Sequence, residues 1–132
     1  MTMNTERKVF LEIVDLISAR PGMFVGTEHL RDVANYLHGL EHGLNGGLGI
    51  APITHVFRRW IEGRFLYCRA AWHWDKLLLH AFGSDAAALA ALPSLFREFF
   101  SELDMLGEAG IKAKVSEAIL AKNSAPGNHA RR

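Results

Sequence analysis

The amino-acid sequence predicts an all-α protein, built as a single compact domain of five to six helices. Apolar residues recur at three- and four-residue spacing along most of the chain, as on one face of an α-helix. The one aromatic run typical of a strand, residues 65–67, is too short to build a sheet. With 132 residues, 49% of them hydrophobic, the chain is long enough to bury one core.

Two amphipathic helices are expected in the first third of the chain. The apolar face of the first consists of Val9, Phe10, Ile13, Val14, Leu16 and Ile17. Asn4 or Thr5 can cap its start, and Pro21 followed by Gly22 ends it, because the residue before a proline avoids the α region. The second helix is expected to start at Thr27, with an apolar stripe formed by Leu30, Val33, Ala34, Leu37, Leu40 and Leu44.

A glycine-rich loop over residues 43–49 separates these helices from the next two. The third helix is expected from Pro52 to about Glu62, with Val56, Phe57, Trp60 and Ile61 inward. The fourth covers about residues 70–82, and its core candidates are Trp72, Leu78, Leu79 and Phe82. Glycine tolerates the left-handed conformation that often ends a helix, so Gly83 is a natural stop.

The fifth helix is expected to begin at Ser84 or Asp85, either of which can cap it. Its apolar stripe consists of Leu89, Leu92, Phe96, Phe99, Phe100 and Leu103. Pro93 either kinks this helix or lies in the first turn of a new one.

A last short helix, Ile111 to about Lys122, completes a domain that covers residues 1–122, and residues 123–132 are expected to form a disordered tail. The single cysteine excludes an internal disulfide. No apolar run approaches the 18 residues typical of a membrane span. Because residues 1–8 are also polar, we expect a cytoplasmic protein with no membrane partner.

Charge is distributed unevenly along the chain, although the net charge is only +1. Residues 54–76 carry five basic and two acidic residues, and residues 77–110 carry one basic and five acidic residues. On one interpretation these segments face each other or simply solvate the surface, and on a second interpretation they form a charged docking surface for a protein partner. On the second interpretation the candidate partner-binding residues are Arg58, Arg59, Trp74, Asp75, Glu98, Glu102 and Asp104. The small net charge argues against a dedicated nucleic-acid binder.

His38, Glu41 and His42 match the H-x-x-E-H motif of inverted zinc proteases. Histidines four residues apart lie on one helix face, so both could bind a metal with the glutamate as base. A third protein ligand is not identifiable beyond unplaced carboxylates such as Glu98 or Glu102. We therefore expect exposed histidines and no metal, cofactor or catalytic residue. A small metal-dependent hydrolase remains one alternative, and a nucleic-acid-binding regulator acting through the basic third helix is another.

The segment RPGMFVG, residues 20–26, is expected to be a structural turn between the first two helices. In this interpretation Met23 and Phe24 plug the helix junction, and Arg20 binds carbonyls left free at the helix end. A direct binding role for the turn is the alternative. The residues assigned to the structural turn are Arg20, Pro21, Gly22, Met23 and Gly26.

The same seven residues resemble a run in the ATPase subunits of type II topoisomerases. That family carries a Glu and an Asp-Asn pair in the next helix, where this chain offers only Asn35, so ATPase activity is not expected. The chain is more similar to a group of small bacterial proteins of unknown function, some of which resemble immunity proteins encoded beside polymorphic toxins. The matching pieces are Arg20–Gly26, Phe57–Ile61, Trp72–Lys76 and Leu95–Phe100.

This resemblance implies an all-α fold and toxin neutralisation, and it identifies no catalytic residue. We therefore expect a non-enzymatic protein-binding module, an immunity protein that neutralises a bacterial toxin by occlusion. The expected partner is a cognate toxin, and homodimerisation is left open.

Overall fold

The computed structural model describes residues 3–44, 53–66 and 72–124. Within these ranges the chain forms α-helices and no strand, which confirms the all-α prediction. The helices are α1 Met3–Ala19, α2 Pro21–Val25, α3 Leu30–Gly43, α4 Ile53–Phe65, α5 Trp74–Phe82 and α6 Asp85–Ser124. Most of the predicted glycine-rich loop and of the predicted tail lies outside the described residues.

Residues 20–26 form a short helix where a turn was expected. Pro21 occupies its first turn, where the missing N–H of proline leaves no hydrogen bond unmade. Gly26 ends the helix with φ 79°, and its amide donates to the Gly22 carbonyl at 3.2 Å. The five-residue helix α2 therefore joins α1 to the segment before α3 with a defined geometry.

Helix α3 begins three residues later than predicted, and its first N–H donates to a residue distant in the chain. The amide of Leu30 donates to Oδ1 of Asp85, the first residue of α6, at 2.8 Å. The Thr27 hydroxyl accepts from the amide of His29 and donates to Asp32 at 2.5 Å. Thr27 therefore orders the backbone before α3, but the N-cap position is occupied by His29.

Helix α6 is one long element with a single break in its helical geometry, at Gly107 (φ 73°, ψ 171°). Ser84 caps its start, since its hydroxyl accepts from the Ala87 amide at 3.1 Å. Pro93 lies inside the helix and does not begin a new one. The predicted last helix is therefore the second half of α6, and it starts just after Gly107 instead of at Ile111.

The core is an aromatic cluster enclosed by α1, α4, α5 and α6. Phe57 of α4 stacks on Phe96 of α6, with ring centroids 4.2 Å apart, and Phe10 of α1 meets Phe96 edge-on at 5.1 Å. Phe96, Phe99 and Phe100 are all buried, as the helical spacing predicts. The predictions for Leu16 and Leu79 are wrong, because both side chains are exposed.

Candidate protein-binding surface

The basic helix α4 and the acidic part of α6 face each other. Nε of Arg64 lies 3.1 Å from Oε1 of Glu98 and forms a salt bridge with it. The indole N–H of Trp60 donates to Glu102 at 3.1 Å, and Lys114 donates to the other oxygen of Glu102 at 2.7 Å. The interpretation in which the two charged segments face each other is therefore correct for Arg64 and Glu98.

The predicted partner-binding residues Glu102 and Asp104 both have partners within the chain. Burial by itself raises the pKa of Glu102, but the hydrogen bonds from Lys114 and Trp60, with the charges of Lys114 and Arg64, lower that pKa overall. Asp104 forms a salt bridge with Arg7 of α1. These carboxylates therefore hold α6 against α4 and α1.

Arg58 and Arg59 surround a carboxylate of their own helix. Glu62 is 1% exposed, and its Oε1 accepts from Arg59 at 3.3 Å and lies 3.6 Å from Nη1 of Arg58. Arg58 also donates to the Trp72 carbonyl at 2.6 Å, and Arg59 donates to the Ser116 hydroxyl at 3.3 Å. Both predicted partner-binding arginines thus link helix α4 to neighbouring parts of the chain.

Trp74, a predicted partner-binding residue, lies in the core and not on the surface. Its side chain is 2% exposed and packs against Phe57 and Phe96. Helix α5 starts at Trp74, so the helical spacing that we extended back to residue 70 does not apply to Trp72.

Asp75, the next predicted partner-binding residue, lines a separate cavity of about 470 Å³ where α5 approaches the starts of α3 and α6.

His38 is half-buried, in contrast to the exposed position that we expected. Its Nε2 accepts the indole N–H of Trp74 at 3.2 Å. Burial lowers the pKa of His38, with a further lowering from His73 and an opposing effect from Asp75. His42 of the same motif is exposed. Across residues 3–44, 53–66 and 72–124, no three His, Cys, Asp or Glu side chains are grouped so that they could hold a metal ion.

Several exposed apolar side chains lie together at the junction of α1 and α2. Met23 is 74% exposed, Leu16 is 58% exposed and Phe24 is 41% exposed. The expectation that Met23 and Phe24 plug the helix junction is therefore wrong. Pro21 is the buried residue of α2, and Met23, two positions further along the helix, points to the opposite side of it.

These side chains border a groove of about 350 Å³. We call this region the turn surface, and its lining residues are Asp15, Leu16, Ala19, Arg20, Met23 and Phe24. The Phe24 ring meets Tyr36 of α3 edge-on at 6.4 Å, which extends the exposed apolar area towards α3.

Two charged groups border the turn surface in different ways. Asp15 accepts two hydrogen bonds from Arg97 of α6, at 2.8 and 2.6 Å. The hydrogen bond from Arg97 lowers the pKa of Asp15 and, in turn, Asp15 raises the pKa of Arg97. Arg20 is exposed, and its guanidinium has no ion-pair partner in the part of the chain that the structure describes.

The predicted role of Arg20 as a side-chain cap is not observed, since the backbone provides the cap. The Arg20 amide donates to the Leu16 carbonyl at 3.1 Å, and the Arg20 carbonyl accepts from the Met23 amide at 3.1 Å. The Arg20 side chain is therefore left at the edge of the groove.

Comparison of the chain with protein-family models, with curated proteins and with solved structures matched none of them. Among the described helices none is long and apolar enough to cross a membrane by itself, and only α5 and α6 together, bent by 115° at their junction, pass that test of length and composition.

Proposed function

We propose that this chain is a non-enzymatic protein-binding module, an immunity protein that neutralises a bacterial toxin by occluding the active site of the toxin. The turn surface is the observation that carries the proposal. Its exposed methionine, leucine and phenylalanine lie side by side around one groove. Contiguous exposed apolar residues rimmed by charge are typical of protein-binding surfaces.

The fold presents this surface on backbone that is already ordered. Pro21 is buried, and the Gly26 amide closes α2 onto Gly22. The pair between Asp15 and Arg97 ties α1 to α6 beside the groove. A surface that is ordered before binding loses less conformational entropy when it meets a partner, which favours tight association.

Occlusion requires a rigid surface and no chemistry, which suits a small helical domain. The resemblance to small bacterial proteins includes residues 20–26, the segment that forms α2 and carries Met23 and Phe24. Glu98 and Asp104 were also predicted to bind a partner, and both side chains remain accessible although each pairs with an arginine of this chain.

Co-expression with the protein encoded immediately upstream tests the proposal directly. We expect the wild-type chain to restore growth of cells that produce this toxin. Met23→Lys should abolish protection, because the loss of one central apolar anchor weakens binding by about 2 kcal/mol, or about thirtyfold. Circular dichroism should show that the variant keeps its helices.

Met105→Lys is the matched control, since Met105 is 76% exposed on α6, outside the groove lining. This variant should protect the cells as well as the wild type does. Full protection by a Leu16→Lys, Met23→Lys double variant would refute a binding role for the turn surface. Failure of the wild-type chain to protect against the upstream product would refute the immunity function.

A further inference from the structure

We infer that the turn surface binds a segment of the partner protein in which an apolar side chain lies beside a carboxylate. The inference rests on the proposed protein-binding function and specifies the chemistry of the partner at the same surface. It follows from the shape of the groove and from the one charge at its edge that lacks a counter-ion within the described residues.

The groove takes an apolar side chain because its walls are apolar. Leu16 and Ala19 form the α1 wall, and Met23 and Phe24 form the α2 wall. A side chain that enters between them removes apolar area from water on both partners, which stabilises the complex by about 25 cal/mol per Å². Methionine adapts its shape to different partner side chains, because it is unbranched and flexible.

The charges at the edge of the groove select a carboxylate. Asp15 is neutralised by its paired hydrogen bonds with Arg97. Arg20 has no counter-ion among the residues that are described, so the groove carries one uncompensated positive charge. Glu28 also lies near α2, but it lies beside Gly22, outside the groove lining. A carboxylate from a partner can therefore form the missing ion pair.

A pair formed at this position is stronger than an ordinary surface salt bridge. The planar guanidinium of Arg20 can donate two parallel hydrogen bonds to one carboxylate. The apolar side chains around it exclude water when the partner binds, and Coulomb attraction grows as the local dielectric constant falls. A lysine or arginine at the same place in a partner would be repelled.

A second copy of this chain fits the surface less well. In a two-fold symmetric contact each copy presents the same patch, so both Arg20 side chains enter one interface, where the carboxylate of the groove lining, Asp15, is already paired with Arg97. The like charges then oppose the apolar contact. A basic segment of another protein meets the same repulsion, which leaves an acidic partner as the complementary one.

Two matched peptides test the inference without knowledge of the toxin. The acidic probe is the capped peptide Ala-Glu-Leu-Leu-Glu-Ala, and the basic probe replaces each glutamate with lysine. Each is titrated into the full chain, and binding is followed by the amide resonances in nitrogen-15 NMR spectra. We expect the acidic peptide to shift the resonances of residues 16–24 and to bind about tenfold more tightly than the basic peptide.

Arg20→Glu should reverse this preference, so that the basic peptide binds more tightly. Arg31→Glu changes the net charge equally at an exposed position outside the groove lining, and it should leave the preference as in the wild type. The inference would be overturned if both peptides bind with equal affinity, if the shifts are confined to other residues, or if neither peptide causes a shift. A dimer that Met23→Lys dissociates would overturn it as well, because the surface would then serve a second copy.

The toxin assay separates this inference from the proposed function. If Met23→Lys abolishes protection while Arg20→Glu binds the toxin as tightly as the wild type does, the function stands and the charge selection fails. If the acidic peptide binds at residues 16–24 but the wild-type chain does not protect, the surface chemistry stands and the immunity function fails.

Discussion

The face between α4 and α6 and the turn surface differ in what the fold does with their side chains. The first is rich in charge, and its charges have partners within the chain, such as Glu98 with Arg64 and Glu62 with Arg59. The second is apolar, and Met23 and Leu16 face solvent. The charge pattern is conspicuous in the sequence, yet most of these charges pair within the chain. The exposure of the apolar side chains, in contrast, becomes visible only in the folded chain.

The difference affects what each region offers to a partner. A protein that binds Glu102 has to compete with Lys114 and Trp60, and breaking such pairs opposes association. A protein that covers Met23 removes apolar area from water without breaking a hydrogen bond. Side chains in the first region should therefore control stability, and side chains in the second should control binding.

The largest expected effect on stability is that of Phe96→Ala. Phe96 contacts Phe10, Phe57 and Trp74 in the centre of the core, so truncation leaves a cavity where four helices meet. We expect the free energy of unfolding to fall by about 3–5 kcal/mol in urea titrations. Leu16→Ala, at the turn surface, should change it by less than about 0.5 kcal/mol. Similar losses in both variants would contradict the distinction between the two regions.

Gly63→Ala should destabilise the contact between α4 and α6. A Cβ at this position would lie 2.6 Å from Cγ2 of Val115, so the second half of α6 must shift away. Overpacking of this kind costs about 1–3 kcal/mol. Gly39→Ala is the control within an open helix face, since nothing lies within 4 Å of the added carbon.

Alanine has the higher helix propensity, so Gly39→Ala should raise the free energy of unfolding by about 0.5–1 kcal/mol. Thermal melts of both variants measure the opposite shifts. A Gly63→Ala variant as stable as Gly39→Ala would mean that α6 packs less closely on α4 than the structure shows.

A smaller effect is expected from pH at His38. Because burial lowers the pKa of His38 below its ordinary 6.5, the unfolded chain takes up the proton more readily than the folded chain does. The free energy of unfolding should therefore decrease as the pH falls through 6.5, since protonation also removes the acceptor of the Trp74 N–H.

Urea titrations between about pH 7.5 and about pH 5.5 would measure this dependence. This pH range lies above the one in which carboxylates titrate. His38→Gln keeps an acceptor for Trp74 but takes up no proton, so its dependence on pH should be weaker. His42→Gln changes an exposed histidine of the same helix and should behave as the wild type does. An unchanged slope in His38→Gln would assign the effect to another group.

The smallest effect on stability is expected at the turn surface itself. Met23→Lys replaces a side chain that is largely exposed, so the free energy of unfolding should change by less than about 0.5 kcal/mol. A loss above about 1 kcal/mol would show that Met23 supports the junction of α1 and α2. The loss of protection in the toxin assay would then reflect folding and not binding.

Much of the fold could be predicted from the spacing of apolar residues. The stripe over residues 89–103 places Phe96, Phe99 and Phe100 in the core, because a long helix repeats its faces regularly. The same reasoning failed at Trp74, since it depends on where a helix starts. Helix α5 starts at that residue, and the packing of its first turn against Phe57 is not encoded in local spacing.

The candidate site was harder to predict. Residues 20–26 were interpreted as a turn, and a turn does not decide whether Met23 faces the junction or the solvent. The signal was Pro21, which is favoured in the first turn of a helix and so indicates that α2 starts there. If α2 starts at Pro21 and Pro21 is buried, Met23 lies on the opposite side of the helix. The pairing of the α4 charges depends on contacts between segments that are distant in the sequence. The number of charges in each segment does not specify which of them pair.

The contact between Leu30 and Asp85 has a consequence for the order in which the protein is made. The acceptor for the first amide of α3 lies 55 residues further along the chain, so it leaves the ribosome after α3, α4 and α5. A helix of 14 residues is marginal in water without tertiary support. While synthesis is incomplete, α3 lacks this cap, and a product truncated before residue 85 never acquires it. Such fragments also lack the buried α6 side chains of the core, so they would be exposed to cellular proteases.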